Sequence, residues 1–361
     1  MSPLPNADLY GSRVESFRYD LLDLRNQKVD ELQVSSAVSG SLDFSTQASP
    51  QGSGSATITP KTPINWLQQR VRVWYLTNGG AANGGREVPL LTAIPKVPDT
   101  NYTPNTSTQQ VGLFDCTSAV DDDRFGVSFA LPAGTNIIAA AKDLIDGTGE
   151  LGAVLEPSTM TLSAAMTWDG SVTKLRIVND LLAAANYFAL YADPLGRLRA
   201  IPYTAPTSRP LRWTFPGDAN NLYTPNHVVT ADRSDVPNKI TGTSRALEDG
   251  TTWSFTATDT SPASQYSYAN RGRWIAGDPL TDVNAASAAT LAQIVTRRLS
   301  DAQQVQATYS ITHPWLPFGL NDAVSATFPR RNETVRATCQ RQTINLGEDA
   351  ARVRSVLLKV A

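Results

Sequence analysis

Between Thr173 and Tyr203 the sequence TKLRIVNDLLAAANYFALYADPLGRLRAIPY leaves few choices of fold: a helix, a strand, a tight turn and a returning strand follow one another without a linker. Leu175, Val178, Leu181, Leu182 and Ala185 recur at helical spacing, so one helix face is apolar and has to be covered. The hairpin behind it is the expected cover. Tyr187 to Ala192 is aromatic and apolar enough for a strand, and Asp193-Pro194-Leu195-Gly196 places proline where a turn fixes φ and glycine where φ turns positive. Arg197 to Tyr203 then returns antiparallel. The block is a compact α/β module and carries no catalytic chemistry.

On either side the pattern is β. Phe17–Leu24, Gly40–Ser45 and Ala56–Thr59 read as short strands, with Gln51-Gly52-Ser53-Gly54 as a loop. Arg70 to Tyr75 alternates, so Val71, Val73 and Tyr75 face a core while Arg70, Arg72 and Trp74 face solvent or a neighbouring subunit. An exposed Trp74 suggests a partner surface. Asn78 to Gly85 reads as a flexible hairpin tip and Pro95 to Thr108 as a loop. A second helix is expected behind a Thr135 or Asn136 cap, with Ile137, Ile138, Ala141, Leu144 and Ile145 as its apolar stripe. After the proline-rich junction from Ala205 to Pro210, strands resume near Val228–Thr230 and Lys239–Thr243. A third helix aligns Ala288, Leu291, Val295 and Leu299, with Arg297 and Arg298 placed in its last turn against the dipole. Ala323–Phe328, Thr334–Leu346 and Arg352–Val360 supply closing strands. The implied organisation is an N-terminal β domain over 1–128, an α/β module over 129–205 and a second β domain over 206–361 with a helix near 285–300.

Composition removes several classes of function. With 361 residues and 41% apolar content the chain is folded and long enough for more than one core. Lysine and arginine total 31 against 33 acidic residues, so there is no global basic field and nucleic-acid readout is disfavoured as the main task. MSPLPNADLYGSRVESF lacks a leader's apolar region, and no apolar run approaches the roughly 18 residues of a membrane span; the chain is expected to stay in the cytosol or to leave without such a leader. Cys116 and Cys339 stand far apart and in no C-x-x-C pattern, which points to two buried free thiols. The N-x-[ST] triplets at Asn101, Asn105 and Asn332 carry no weight without a leader.

No chemical motif survives inspection. Gly147-Thr148-Gly149-Glu150-Leu151-Gly152 matches G-x-G-x-x-G but follows a helix instead of opening one, so it reads as a helix cap and loop. Asp121-Asp122-Asp123 fails as a calcium loop, because Phe125 and Pro132 fall where oxygen ligands belong. His227 and His313 have no metal or catalytic spacing, and there is no G-x-S-x-G or G-K-[ST]. Carboxylate pairs for glycoside hydrolysis come from distant segments and are not readable from spacing. The seven tryptophans suit a core or subunit interface better than a sugar platform. No catalytic, cofactor-binding or metal-binding residue is assigned, and no cofactor is expected.

The order of LLDLRNQKVDEL, SGSLDFS, INWLQQRVRVWY, the block from Thr173 to Tyr203, VPNKI, YANRGRW and TLAQIVTRRL resembles the minor tail proteins of actinobacterial long-tailed phages, in particular their tail-tip or baseplate hub group. The resemblance runs from about Phe17 to Val360 and is most specific at Lys174–Tyr203 and Asn270-Arg271-Gly272-Arg273-Trp274. It implies a mainly β fold, two tube-type β-barrels flanking the helix–hairpin module. It further implies a homotrimer whose six barrels match a six-fold tube to a three-fold tip. The implied partners are the distal tail protein ring, the tape-measure protein and tip or fibre proteins, with DNA passing through the lumen unbound. The implied place is the virion tail tip, with no enzymatic role. A receptor- or glycan-binding tail protein using Trp74, Trp253 and Trp274 is the alternative, followed by a cell-wall carbohydrate-degrading enzyme.

Overall fold

A computed structural model describes residues 9–11, 13–32, 39–60, 63–105, 107–150, 152–162, 164–230, 234–244, 246, 251–283, 287–303, 307–347 and 352–360. Leu151 of the glycine-rich run, and residues 1–8 of the segment that lacks a leader pattern, lie outside them. The fold is mainly β with an α/β insertion. The chain divides into two compact units, one formed by Met1–His227 with Ser310–Val360 and the other by Val228–Tyr309.

In the first unit one sheet runs through the strands Arg352–Lys359, Glu333–Asn345, Ser39–Ser45, Gly52–Ile58, Ser107–Asp115, Glu87–Pro95, Arg70–Thr77, Glu15–Leu22 and Lys28–Glu31, in that spatial order. Thr308–Pro314 lies beyond Arg352–Lys359 in the same sheet, and among the described residues the path does not close on itself. Leu211–Phe215 joins it by parallel pairing with Ala323–Phe328, which pairs antiparallel with Glu333–Asn345. The alternation at Arg70–Thr77 works as expected on one face: Val71, Val73 and Tyr75 are buried beside Tyr19, Leu42, Leu91 and Leu113. Ile344, Leu346 and Val353, from the far end of the chain, complete the same core.

Parts of two stretches expected to be loops are strands. Gly52 to Gly54, read as loop, belong to the same strand as the expected Ala56 to Ile58, and Gly52 to Thr57 pair with Phe44 to Ser39. A Cβ at Gly54 would stand 2.6 Å from the Ser41 carbonyl oxygen, so glycine here serves close approach between strands and not a turn. Within Pro95 to Thr108, Thr100–Tyr102 folds back on Ser107–Asp115. The tip between Asn78 and Gly85 contains a short 3-10 turn whose Ala81 N–H is accepted by Glu87 Oε1 at 3.3 Å.

The insertion has its own core. The helix Ile137–Asp146 is capped by Asn136, whose side chain accepts the Ala139 N–H, and the helix Lys174–Ala184 is capped by Thr173 accepting from Arg176. Ile138, Ala141 and Ile145 meet Leu175, Val178, Leu181 and Leu182. The first helix is therefore the main cover of the second, and Tyr187, Leu190, Leu198 and Ala200 of the hairpin close the remaining side. The hairpin's regular pairing is short, Tyr191–Ala192 against Leu198–Ala200, and Val154–Leu155 adds a parallel strand.

In the second unit Lys239–Ser244 pairs antiparallel with Ser254–Thr258 and parallel with Leu280–Val283. The helix Ala288–Gln303 lays Leu291, Val295 and Leu299 on Ile240 and Ala257. Because this helix runs on to Gln303, Arg297 and Arg298 sit above its last turn, contrary to the expected dipole pairing.

Candidate functional site

The module is joined to the sheet of the first unit by polar contacts. Arg70 opens its strand pointing away from the β core, yet it is buried, not facing solvent: its Nη1 and Nη2 donate to the two oxygens of Glu150 at 2.7 and 2.8 Å. Burial pulls the Arg70 guanidinium down, and the Glu150 hydrogen bonds and nearby charges overcome this, leaving it above the ordinary arginine range. Arg72 donates to Thr92 Oγ1 at 2.8 Å and to the Leu195 carbonyl at 3.1 Å, and Thr92 Oγ1 donates to the Pro194 carbonyl at 2.8 Å. Gly196, at φ +82°, brings the turn so close that an added Cβ would lie 3.0 Å from Thr92 and 3.1 Å from Cys116. The expected turn chemistry is present, with Asp193 accepting the Leu195 and Arg197 N–H groups at 3.0 Å each.

Beside this junction lie two adjoining cavities. One of about 360 Å³ is apolar, walled by Phe44, Leu91, Pro194, Trp315 and Phe318. The other, of about 390 Å³, is bounded by Phe188, Ala189, Ile201, Arg209 and Arg212. Gln51, Tyr191, Leu320 and Asp322 line both, so the two form one cleft. Asp322 accepts the Gly319 N–H at 2.9 Å and lies 3.6 Å from Arg212 Nε; burial raises its carboxyl above the usual range, with Gly319, Arg212 and Arg209 pulling the other way. No spacing in the sequence announces this cleft, because its walls come from segments more than two hundred residues apart.

The residues weighed from sequence are dispersed. His313 is buried between the Pro314 carbonyl at 2.6 Å and Ser355 Oγ at 2.8 Å, and burial lowers its imidazole to about 4. His227 packs on Phe328 with ring centroids 4.7 Å apart. Cys116 and Cys339 are buried free thiols, and burial pushes Cys116 up to about 12. Gly147 caps a helix C-terminus, and Glu150 is spent on Arg70. Asp123 pairs with Lys174 at 2.5 Å. Among the described residues no three His, Cys, Asp or Glu side chains gather as a metal site, and no helix is long and apolar enough to cross a membrane. Trp74 is half-buried with the Arg18 guanidinium 5.0 Å over its ring, which corrects its expected exposure. Trp253 is half-buried and packs on the core of the second unit. Trp274 alone of the seven is exposed, stacked on Tyr268 at 4.5 Å.

No family model matches the sequence, and no curated protein matches it. Solved structures do. A tail protein from Neisseria meningitidis superposes with a TM-score of 0.63 at 13% identity, covering 95% of this chain and 97% of that one. The fold is that of phage tail proteins. The 43 kDa tail protein of prophage MuSo2 from Shewanella oneidensis gives 0.61 at 13% identity over 95% and 98% of the two chains. The prophage tail protein gp18 from Listeria monocytogenes gives 0.52 at 12% identity over 94% of each. The shared fold thus spans the chain almost end to end, insertion included.

Proposed function

We propose that this chain is a structural, non-enzymatic virion protein of a phage tail tip: a hub that closes the tail tube and forms part of the conduit through which DNA leaves. The observation that carries the reading is the near-complete overlap in fold with three tail proteins. The finer features come from the sequence resemblance to the actinobacterial long-tailed phage group. In this reading three copies form a ring, the β regions of 1–128 and 206–361 act as paired tube-like domains around the module of 129–205, and six such domains meet a six-fold tube above a three-fold tip. The neighbours are the distal tail protein ring, the tape-measure protein and tip or fibre proteins. A net charge of −2 suits a passage that must release DNA. Electron microscopy of intact tails, with a tag on this chain, tests the proposal: three copies at the tip are expected, and label along the shaft or on the capsid refutes it.

A receptor- or glycan-binding role is the second reading, favoured by the exposed Tyr268–Trp274 stack. Its loop is held rigid by the fully buried Asn238, which donates to the Tyr266 and Arg273 carbonyls at 3.0 Å and accepts the Ile275 N–H at 2.8 Å. Binding of the purified chain to host cell-wall sugars, lost in Trp274→Ala, distinguishes this role.

A further inference from the structure

We propose that the paired cleft of the first unit is a binding site for an apolar carboxylate, with its anionic end between Arg209 and Arg212 and its apolar body in the adjoining chamber. Arg209 is only 8% exposed and lines the 390 Å³ cavity. Its guanidinium lies 5.0 Å from the Phe188 ring and 5.6 Å from the Tyr203 ring. Its Nε and Nη1 donate at 2.8 Å to the carbonyls of Thr204 and Asn321, which are neutral acceptors. Its direct hydrogen bonds go to neutral oxygens, and the one negative charge acting on it from the lining, Asp322, is shared with Arg212; two cations facing one carboxylate leave room for a second anion.

The surrounding charges sharpen the point. Arg212 lines the same cavity with 61% of its side chain exposed, and Asp322 is the one carboxylate among its described lining residues. Arg336 donates Nη2 to the Arg209 carbonyl, and its buried Nε has no acceptor among the described residues. Two guanidinium groups, Arg209 and Arg212, therefore line the cavity against one carboxylate, with Arg336 bound to the Arg209 backbone behind them. In the apolar chamber the acidic groups are already engaged: Asp115 accepts the Gly52 N–H at 2.6 Å, Asp193 holds Arg197 at 2.8 Å and Arg199 at 3.2 Å, and Asp322, shared with the other cavity, accepts the Gly319 N–H at 2.9 Å. What remains open there is the surface of Leu91, Pro194, Trp315 and Phe318. The planar fork of an arginine matches a carboxylate, and each cavity falls in the range of about 300–1,000 Å³ that takes small ligands. A bare inorganic anion would leave the apolar chamber unused.

Titration calorimetry on the full chain with N-acetyl-phenylalanine and its amide tests the site. The carboxylate is expected to bind about tenfold or more tighter than the amide, the effect of one charge-assisted contact. Arg209 holds two carbonyls, so Arg209→Lys risks misfolding; Arg212→Gln and Ala189→Trp carry the test, since both side chains are exposed. Arg212→Gln should weaken the carboxylate and spare the amide, and Ala189→Trp should abolish binding of both with an unchanged Tm. Comparing N-acetyl-leucyl-phenylalanine with benzoate separates a polypeptide chain end from a free acid as the source, and preference for either supports the site. Equal affinity for carboxylate and amide, no binding of either, acetate binding as tightly as N-acetyl-phenylalanine, or binding that survives Ala189→Trp overturns it. The inference does not rest on the tail reading.

Discussion

At the scale of single residues, the Arg70–Glu150 pair is an exacting contact. Both side chains are withdrawn from water, at 10% and 1% exposure. Removing one partner strands a buried charge, and Glu150→Ala is expected to destabilise the first unit by about 3–5 kcal/mol in denaturant titrations. Replacing both by apolar side chains of similar volume should cost much less. His313 gives a pH dependence of definite sign. The unfolded chain takes up a proton near the ordinary 6.5 whereas the folded one resists until about 4. The unfolded state thus binds more protons between those values, and stability falls as pH drops through the window, by about 3 kcal/mol in all. His313→Gln should flatten that part of the stability–pH curve measured by chemical denaturation. Neither residue was singled out for this by sequence: Glu150 sits in what reads as a capping loop, and its partner lies 80 positions earlier.

At the scale of elements, legibility follows the range of the interactions. The helices Ile137–Asp146 and Lys174–Ala184 were readable because stripe, cap and turn are local, and their striped residues are buried as expected. Gly52–Ile58 was half hidden, because glycine and serine signal a turn unless a neighbouring backbone demands their smallness, and the neighbour is set by tertiary pairing. Parallel pairing of Leu211–Phe215 with Ala323–Phe328 leaves no local trace at all. The cleft shares this invisibility, since Arg209 in a proline-rich junction carries no motif. Gly54→Val is expected to disrupt pairing with Ser39–Ser45, lowering the Tm of the full chain by several degrees, because the β-branched side chain would strike the Ser41 carbonyl. A Tm equal to that of the parent chain would mean the strands can move apart without cost.

At the scale of the whole molecule, near neutrality is the property with the widest reach. With 31 basic and 33 acidic residues, some held in ion pairs such as Lys174–Asp123 and Lys359–Glu333, the chain has no global basic field to hold a polyanion. The purified protein is expected to leave double-stranded DNA unshifted in gel assays from about 50 to 200 mM salt, the range over which counterion-driven binding changes most. A shift that weakens with salt would place a basic track where the conduit reading needs none.

The strand Glu333–Asn345 pairs with Ser39–Ser45, and Ile344, Leu346 and Val353 finish the core begun by Tyr19 and Leu21. During synthesis on the ribosome, then, much of this core can close once Leu113 has emerged, but the flank that Ile344, Leu346 and Val353 cover stays wet until roughly two hundred and thirty further amino acids have been made. Such long-range closure folds slowly, and a chain released early would offer that flank to whatever it met.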